Sequence, residues 1–383
     1  MRAEKMLRGL LGDVATKLHQ ARVNALVAAV LALIHGGEVA LSALGRSIGS
    51  RSQKHGIKRV DRLLGNSALT AELELIYAAI ALYAVRGRKR PVVLLDWTDT
   101  SKTTCTLSAA IPAEGRAITI YSVTCPSSQY SSRRIENAFL KKLAELLPIG
   151  CKPILVGDAG FRAPWMKQVL AMKWDFVVRV RGRTQIQRVG DEGWVHWKKL
   201  SSAARRKPRC LGTYRFVRTN SVEAQLVVVD GRSRRARRRP KVTRRNLRAS
   251  RAARAHREPW FLATSLKSKA TRVTRIYAAR MQIELTFRDL KSRRFGWGFE
   301  DARCRSTSRI AIQISLAALA SLITMLVGIA AETAGLHWRY QANTISKRRV
   351  LSWVLLGRTV LNADDERLAN LRIPNLQRHL PKL

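Results

Sequence analysis

The stretch Tyr277-Ala-Ala-Arg280-Met-Gln-Ile-Glu284-Leu-Thr-Phe-Arg288-Asp-Leu-Lys291 sets one carboxylate among cations and a tyrosine. On a helix turning about 100° per residue, Arg280, Glu284, Arg288 and Lys291 fall within about 80° of arc around Tyr277. Ile276, Ala279, Ile283, Phe287 and Leu290 occupy the neighbouring stripe and form a core face. Alone, such a helix reads first as an ordinary salt-bridged surface helix, with Glu284–Arg288 as an i,i+4 pair. Two distant carboxylates alter that balance. Asp96 closes the aliphatic run Pro91–Trp97, and Asp158 follows the run Pro153–Gly157. If these runs are neighbouring strands and the helix crosses their edge, Asp96, Asp158 and Glu284 converge. Three converging carboxylates repel one another unless a cation joins them. Oxygen donors without a His or Cys partner suit Mg²⁺ or Mn²⁺. A pair of such ions about 3.5–4 Å apart serves phosphoryl transfer by activating water or a 3′-hydroxyl. Asp99 is the alternative first carboxylate; Asp96 is preferred because it ends the aliphatic run.

The charge balance agrees with a phosphate-rich partner. The chain has 383 residues, 71 Lys+Arg, 26 Asp+Glu and a formal net charge of +45. So large an excess repels itself in a compact fold, and nucleic acid is the leading candidate to neutralise it. With 46% hydrophobic residues the chain can still bury a large core. Five widely spaced cysteines without a Cys-x2-Cys pair argue against a zinc ribbon or a disulfide framework and indicate a reducing compartment. The N-terminal apolar run stops at Gly12-Asp13, so no secretory signal is expected. Ile310–Ala331 carries no charge over 22 residues. That length can cross a bilayer, but Gln313, Ser315, Ser321 and Thr324, and the lack of a second span, favour a helix buried within a domain.

The elements that must hold these residues follow from the patterning. Residues 1–87 read as helical; Glu38–Ser47 and Gln53–Leu64 form a short pair around Gly49-Ser50. Its second member carries Lys54, His55, Lys58, Arg59 and Arg62. A DNA-binding helix pair and a solvated basic face on a small bundle are equally good readings. From residue 91 the pattern predicts strands at Pro91–Trp97, Thr104–Ile111 and Ala117–Thr124, then a helix at Arg134–Leu147. A strand at Pro153–Gly157, a helix at Ala163–Met172 and a strand at Asp175–Val180 follow, giving a mixed α/β sheet. Residues 182–257 break this into short β-like pieces and an arginine-dense run. From Arg232 to Arg257, 13 of 26 residues are basic and none is acidic, which predicts a flexible arm. Trp260–Thr264 resumes a strand, and one long helix is expected over Lys269–Arg293.

With these residues in view, the chain resembles the insertion-sequence four (IS-four) family of DDE transposases. That family's third carboxylate sits in Tyr-x2-Arg-x3-Glu-x6-Lys, matched here by Tyr277, Arg280, Glu284 and Lys291. Asp96-Trp97-Thr98 resembles its Asp-x-Thr motif, and Asp158-Ala-Gly-Phe161 its Asp-x-x-Phe motif. The resemblance implies a ribonuclease-H-like α/β fold with an all-helical N-terminal domain and a β-rich insertion. It also implies two Mg²⁺ (or Mn²⁺) ions held by Asp96, Asp158 and Glu284, with DNA contacts from Tyr277, Arg280, Lys291 and Arg288. Trp260 matches a position where members stack a flipped base; filling the sheet–helix junction explains it equally well. Some relatives carry a second Trp after the signature Arg, where this chain has Met281.

The resulting expectation is cut-and-paste transposition by cleavage at element ends and strand transfer. The chain would act as a homodimer on DNA without a membrane role, in a prokaryotic cytoplasm. The domains would be 1–87 (helical, DNA-binding), 88–181 with 258–335 (catalytic), 182–257 (insertion) and 336–383 (C-terminal helical). Two rivals are a non-catalytic basic DNA-binding repressor and a structure-specific nuclease.

Overall fold

The computed structural model describes residues 2–230, 258–363 and 374–383. The predicted flexible arm, residues 232–257, lies outside the described residues. The chain divides into two compact units, Met1–Cys151 with Met281–Lys382, and Lys152–Arg280. In chain order the first unit holds helices α1 (Arg2–Lys17), α2 (Gln20–Gly36), α3 (Leu41–Ser47), α4 (Gln53–Leu64) and α5 (Ser67–Val85), strands β1 (Val92–Asp99), β2 (Thr104–Pro112) and β3 (Ala117–Pro126), and helix α6 (Arg133–Leu146). The second unit holds β4 (Ile154–Gly157), α7 (Ala163–Ala171), β5 (Asp175–Arg179), β6 (Gln185–Arg188), β7 (Val195–His196), β8 (Arg209–Phe216), β9 (Val222–Val229), β10 (Trp260–Thr264) and α8 (Ala270–Ala278). The chain then returns to the first unit with α9 (Met281–Lys291), α10 (Thr307–Thr333), α11 (Trp353–Asn362) and α12 (Leu376–His379). It is a mixed α/β protein.

In the first unit, β1, β2 and β3 form an antiparallel meander in the order β3-β2-β1. Leu94 faces Ala110 and Asp96 faces Ser108 across β1–β2, and Cys105 faces Cys125 across β2–β3. All nine residues of β2 are buried, as a strand covered on both faces requires. Helix α9 packs on β2, while α10 packs on β3, α2, α5 and α11, and nearly its whole length is buried. Its apolar run therefore has a tertiary reason, as the sequence suggested. By length and composition α10 and also α5, despite Glu72 and Glu74, are apolar enough to cross a membrane. The sequence reading had no second such segment.

The short N-terminal pair is α3 and α4. Ser52 Oγ accepts from His55 N at 3.3 Å and starts α4. A Cβ on Gly56 would overlap the Gly45 carbonyl oxygen, so the close crossing of α3 and α4 needs glycine at that contact. Lys54, His55, Lys58, Arg59 and Arg62 are all exposed on α4.

In the second unit the strand order is β4-β5-β10-β9-β8-β6-β7. Only β4–β5 is parallel among these pairs, joined through α7 as a parallel crossover demands. Helix α8 packs on β5, β8 and β9.

Two expectations need correction. The single helix over Lys269–Arg293 is two helices, α8 and α9. The Arg280 N–H donates to the Tyr277 carbonyl three residues back, at 3.0 Å. That tight turn ends α8, and Arg280 closes the second unit while α9 begins in the first. A uniform 100° step cannot then be carried from Tyr277 to Lys291. Asp96 also does not end its strand: β1 continues to Asp99, which faces Cys105 on β2. Pairing with β2 holds the polar end of β1 extended past the aliphatic run.

Candidate active site

In the second unit, Asp158 directly follows β4, and its Oδ1 accepts from Gly160 N at 2.8 Å. Phe161 is buried and rests on the Trp165 ring at 4.9 Å. The Asp-x-x-Phe spacing thus has a mechanical reason: the turn is tied at one end and plugged at the other. On α8, Tyr277 is buried, and its ring meets Trp260 edge-on at 5.1 Å. Burial pushes the Tyr277 hydroxyl pKa up, while Arg280 and Arg179 pull against that rise. Asp158 is close enough to add to it, so Asp158, Tyr277, Arg179 and Arg280 share one neighbourhood.

Arg179 escaped the sequence reading. It ends β5, and its pKa is lowered, first by desolvation and with Arg181 adding, against raising contributions from Tyr277 and Glu258. Its Nε and Nη2 are buried without a hydrogen-bond partner among the described residues. These two nitrogens form the edge of the guanidinium fork that takes a phosphate bidentately. The available signal was its position, a cation closing the buried run Phe176–Val178, much as Asp96 closes its own. Beside it opens a cleft of about 500 Å³ whose lining includes Arg162, Arg181, Arg183 and Phe216. Arg181 is held by Glu258 at 2.9 Å.

In the first unit, Asp96 Oδ1 accepts from Trp97 N at 3.0 Å. The Trp97 side chain is buried: Nε1 donates to Glu136 Oε1 of α6 at 3.3 Å, and the ring lies 5.3 Å from Tyr130. Glu136 is only 6% exposed. Lys291, on α9, has its pKa lowered by burial, opposed first by Asp99 and then by Glu300 and Asp96. The signature lysine therefore stands beside both candidate first carboxylates. Asp96 is half-buried and Asp99 exposed.

Glu284 is half-buried on α9, which packs on β1, β2 and β3. Two contacts anchor that helix to the β2–β3 hairpin. Thr286 Oγ1 accepts from Ala117 N at 2.9 Å. Asp289, 5% exposed, takes a bidentate pair from Arg116: Nε to Oδ2, and Nη2 to Oδ1 at 3.3 Å. Arg288 is exposed, with Nη2 3.4 Å from Asp289 Oδ1.

The predicted residues thus fall into two groups. Asp96, Glu284, Arg288 and Lys291 belong to the first unit; Asp158, Trp260, Tyr277 and Arg280 belong to the second. Among the described residues, neither unit alone gathers three His, Cys, Asp or Glu side chains at metal-binding distance.

Residues 87–323, more than half of the chain, match the family model described as "Transposase DDE domain". The chain belongs to that family. The match begins just before β1 and ends within α10, so it spans Asp96, Asp158 and Glu284 of this transposase. Transposase domains of this family generally use divalent metals. No curated protein matches the chain significantly. Among solved structures, the chain is similar to a piggyBac transposase in a synaptic complex with hairpin DNA. The identity is 12% and the TM-score 0.43, over 95% of this chain and 77% of the other.

Proposed function

We propose that this transposase excises its own element by cutting DNA at the element ends and joins the freed 3′-hydroxyls to target DNA. The observation that carries the reading is the family match over residues 87–323, which spans all three carboxylates. Asp96, Asp158 and Glu284 are the metal ligands of this reading. The donor set fits hard cations, because it offers oxygen alone. Bound Mg²⁺ or Mn²⁺, two ions in this account, supplies Lewis-acid stabilisation of attacking and leaving oxygens. The protein's own groups bind and orient DNA. Tyr277, Arg280 and Lys291, joined by Arg179, hold terminal phosphates that the carboxylates alone would repel. Trp260, set against Tyr277, offers a ring to an unstacked base.

The finer classification belongs to the same proposal. Four signature residues at the family spacing support IS-four membership. The β3-β2-β1 meander and the parallel β4–β5 pair support a ribonuclease-H-like core. The helical residues 1–87, with the exposed basic face of α4, are assigned to DNA binding, as is the insertion 182–257; of the C-terminal region assigned to 336–383, the described residues hold helices α11 and α12. Cutting two ends together calls for a homodimer on DNA, working on a prokaryotic chromosome in the cytoplasm without a membrane role.

A strand-transfer assay with labelled element ends tests the reading. Joined products are expected with Mg²⁺. Cleavage without joining identifies a structure-specific nuclease, and binding without cleavage a repressor.

A further inference from the structure

The turn after α9 holds an aromatic ring out to solvent on a rigid mount. Gly296 N donates to Ser292 O at 2.9 Å and Trp297 N to Asp289 O at 2.8 Å, so the chain folds back on the end of α9. A Cβ at position 296 would overlap the Asp289 carbonyl, so the return needs glycine. Trp297 is buried, and its Nε1 donates to Ser321 Oγ of α10 at 2.8 Å. From α11, Arg358 Nη1 donates to the Gly296 carbonyl at 3.1 Å. These contacts fix the backbone beside Phe295, yet Phe295 itself is 48% exposed.

The exposed ring is flanked by cations. The guanidinium carbon of Arg288 lies 4.7 Å from its centroid and that of Arg294 5.4 Å. A guanidinium drawn to an aromatic face can still turn N–H groups to a phosphate; Arg288 can do so while its Nη2 stays 3.4 Å from Asp289 Oδ1. The ring also restricts two long side chains before any ligand arrives, which lowers the entropic cost of binding. Phe295 keeps about half of its surface in solvent on this pinned turn. Its evident work is on the two arginines.

We propose that Arg288, Phe295 and Arg294 form a clamp for the phosphates of a DNA strand, with Phe295 as the splint that holds both guanidiniums. This deepens the transposase reading and rests on it, since that reading makes DNA the partner. It goes beyond that reading by adding Phe295 and Arg294 as binding residues, and it needs no metal.

The test is fluorescence anisotropy with the full chain, a fluorescein-labelled DNA duplex of mixed sequence, excess chelator and a range of salt concentrations. Phe295→Ala is expected to weaken binding roughly fivefold to thirtyfold. Phe295→Leu should behave like Phe295→Ala, because bulk without a π face cannot hold the cations, and Phe295→Trp should bind at least as well as the parent. Arg288→Ala and Arg294→Ala should each reduce the slope of log affinity against log salt by about one. In the Arg288→Ala/Arg294→Ala background, Phe295→Ala should add nothing. Parent-like binding by Phe295→Ala or Phe295→Leu, with an unchanged melting temperature, would overturn the clamp alone. A parent chain that does not bind the duplex would overturn the clamp and the transposase reading together.

Discussion

Replacing Arg116 with alanine should loosen the helix that carries Glu284 and Lys291. Arg116 lies 173 residues from Asp289 in sequence and pairs with it through both oxygens, at side-chain exposures of 15% and 7%. Removing one member of a buried pair costs about 3–5 kcal/mol, because the surviving charge stays buried without its partner. Two features lower that figure. Arg116 keeps some solvent access, and Arg288 Nη2 remains 3.4 Å from Asp289 Oδ1. An expected loss of about 2–3 kcal/mol follows, or a fall in Tm of about 5–10 °C for a unit of this size. The assay is urea and thermal denaturation of Arg116→Ala, Asp289→Asn and the double variant. The double variant should cost at least about 1 kcal/mol less than the sum of the singles. A loss below about 0.5 kcal/mol for Arg116→Ala, or strict additivity, would refute the anchoring argument.

Three further outcomes are expected. Asp96→Asn, Asp158→Asn and Glu284→Gln should each lower DNA cleavage by at least about a thousandfold while DNA affinity, read by gel shift, holds; cleavage at the parent rate by any of them removes that residue from the site. Arg179→Ala should weaken binding of element-end DNA about tenfold to a hundredfold, and Arg179→Lys should not restore it, because a lysine lacks the planar fork; rescue by lysine would mean that charge alone matters there. Burial, with Cys125 adjacent, pushes the Cys105 thiol up to about 12. Its neutral form is thus favoured in the folded state, and its contribution to stability is intact below the ordinary thiol pKa of about 9. That contribution is lost as pH rises from about 9 through 12. Cys105→Ala should therefore flatten the alkaline fall in Tm, and an identical profile would speak against the burial argument.

The sequence made the local elements legible and left the tertiary pairings hidden. Aliphatic runs bounded by Pro, Gly and Asp marked β1, β4 and β5 within a residue or two, because a strand covered on both faces has little choice of residues. Ile276, Ala279, Ile283, Phe287 and Leu290 are all buried, although the single 100° step that grouped them does not run across the break between α8 and α9. The break between α8 and α9 had no such mark: neither Gly nor Pro stands at Ala279-Arg280, and only a three-residue backbone bond ends the helix. Arg116 with Asp289, and Trp97 with Glu136, join residues far apart in sequence, so no periodicity could announce them. Of the candidate site, Asp96, Asp158, Glu284 and the signature cations stood out by residue type and spacing. Arg179 did not, because a strand-ending arginine becomes informative only once Tyr277 is placed beside it.

The central claim is that Asp96, Asp158 and Glu284 act as one divalent-cation site. Its most direct test is Mn²⁺ binding to the full chain on DNA, followed by electron paramagnetic resonance for the parent and for Asp96→Asn, Asp158→Asn and Glu284→Gln. The account predicts that each substitution weakens Mn²⁺ binding by at least about tenfold. Parent-like Mn²⁺ affinity in any one of the three would contradict it.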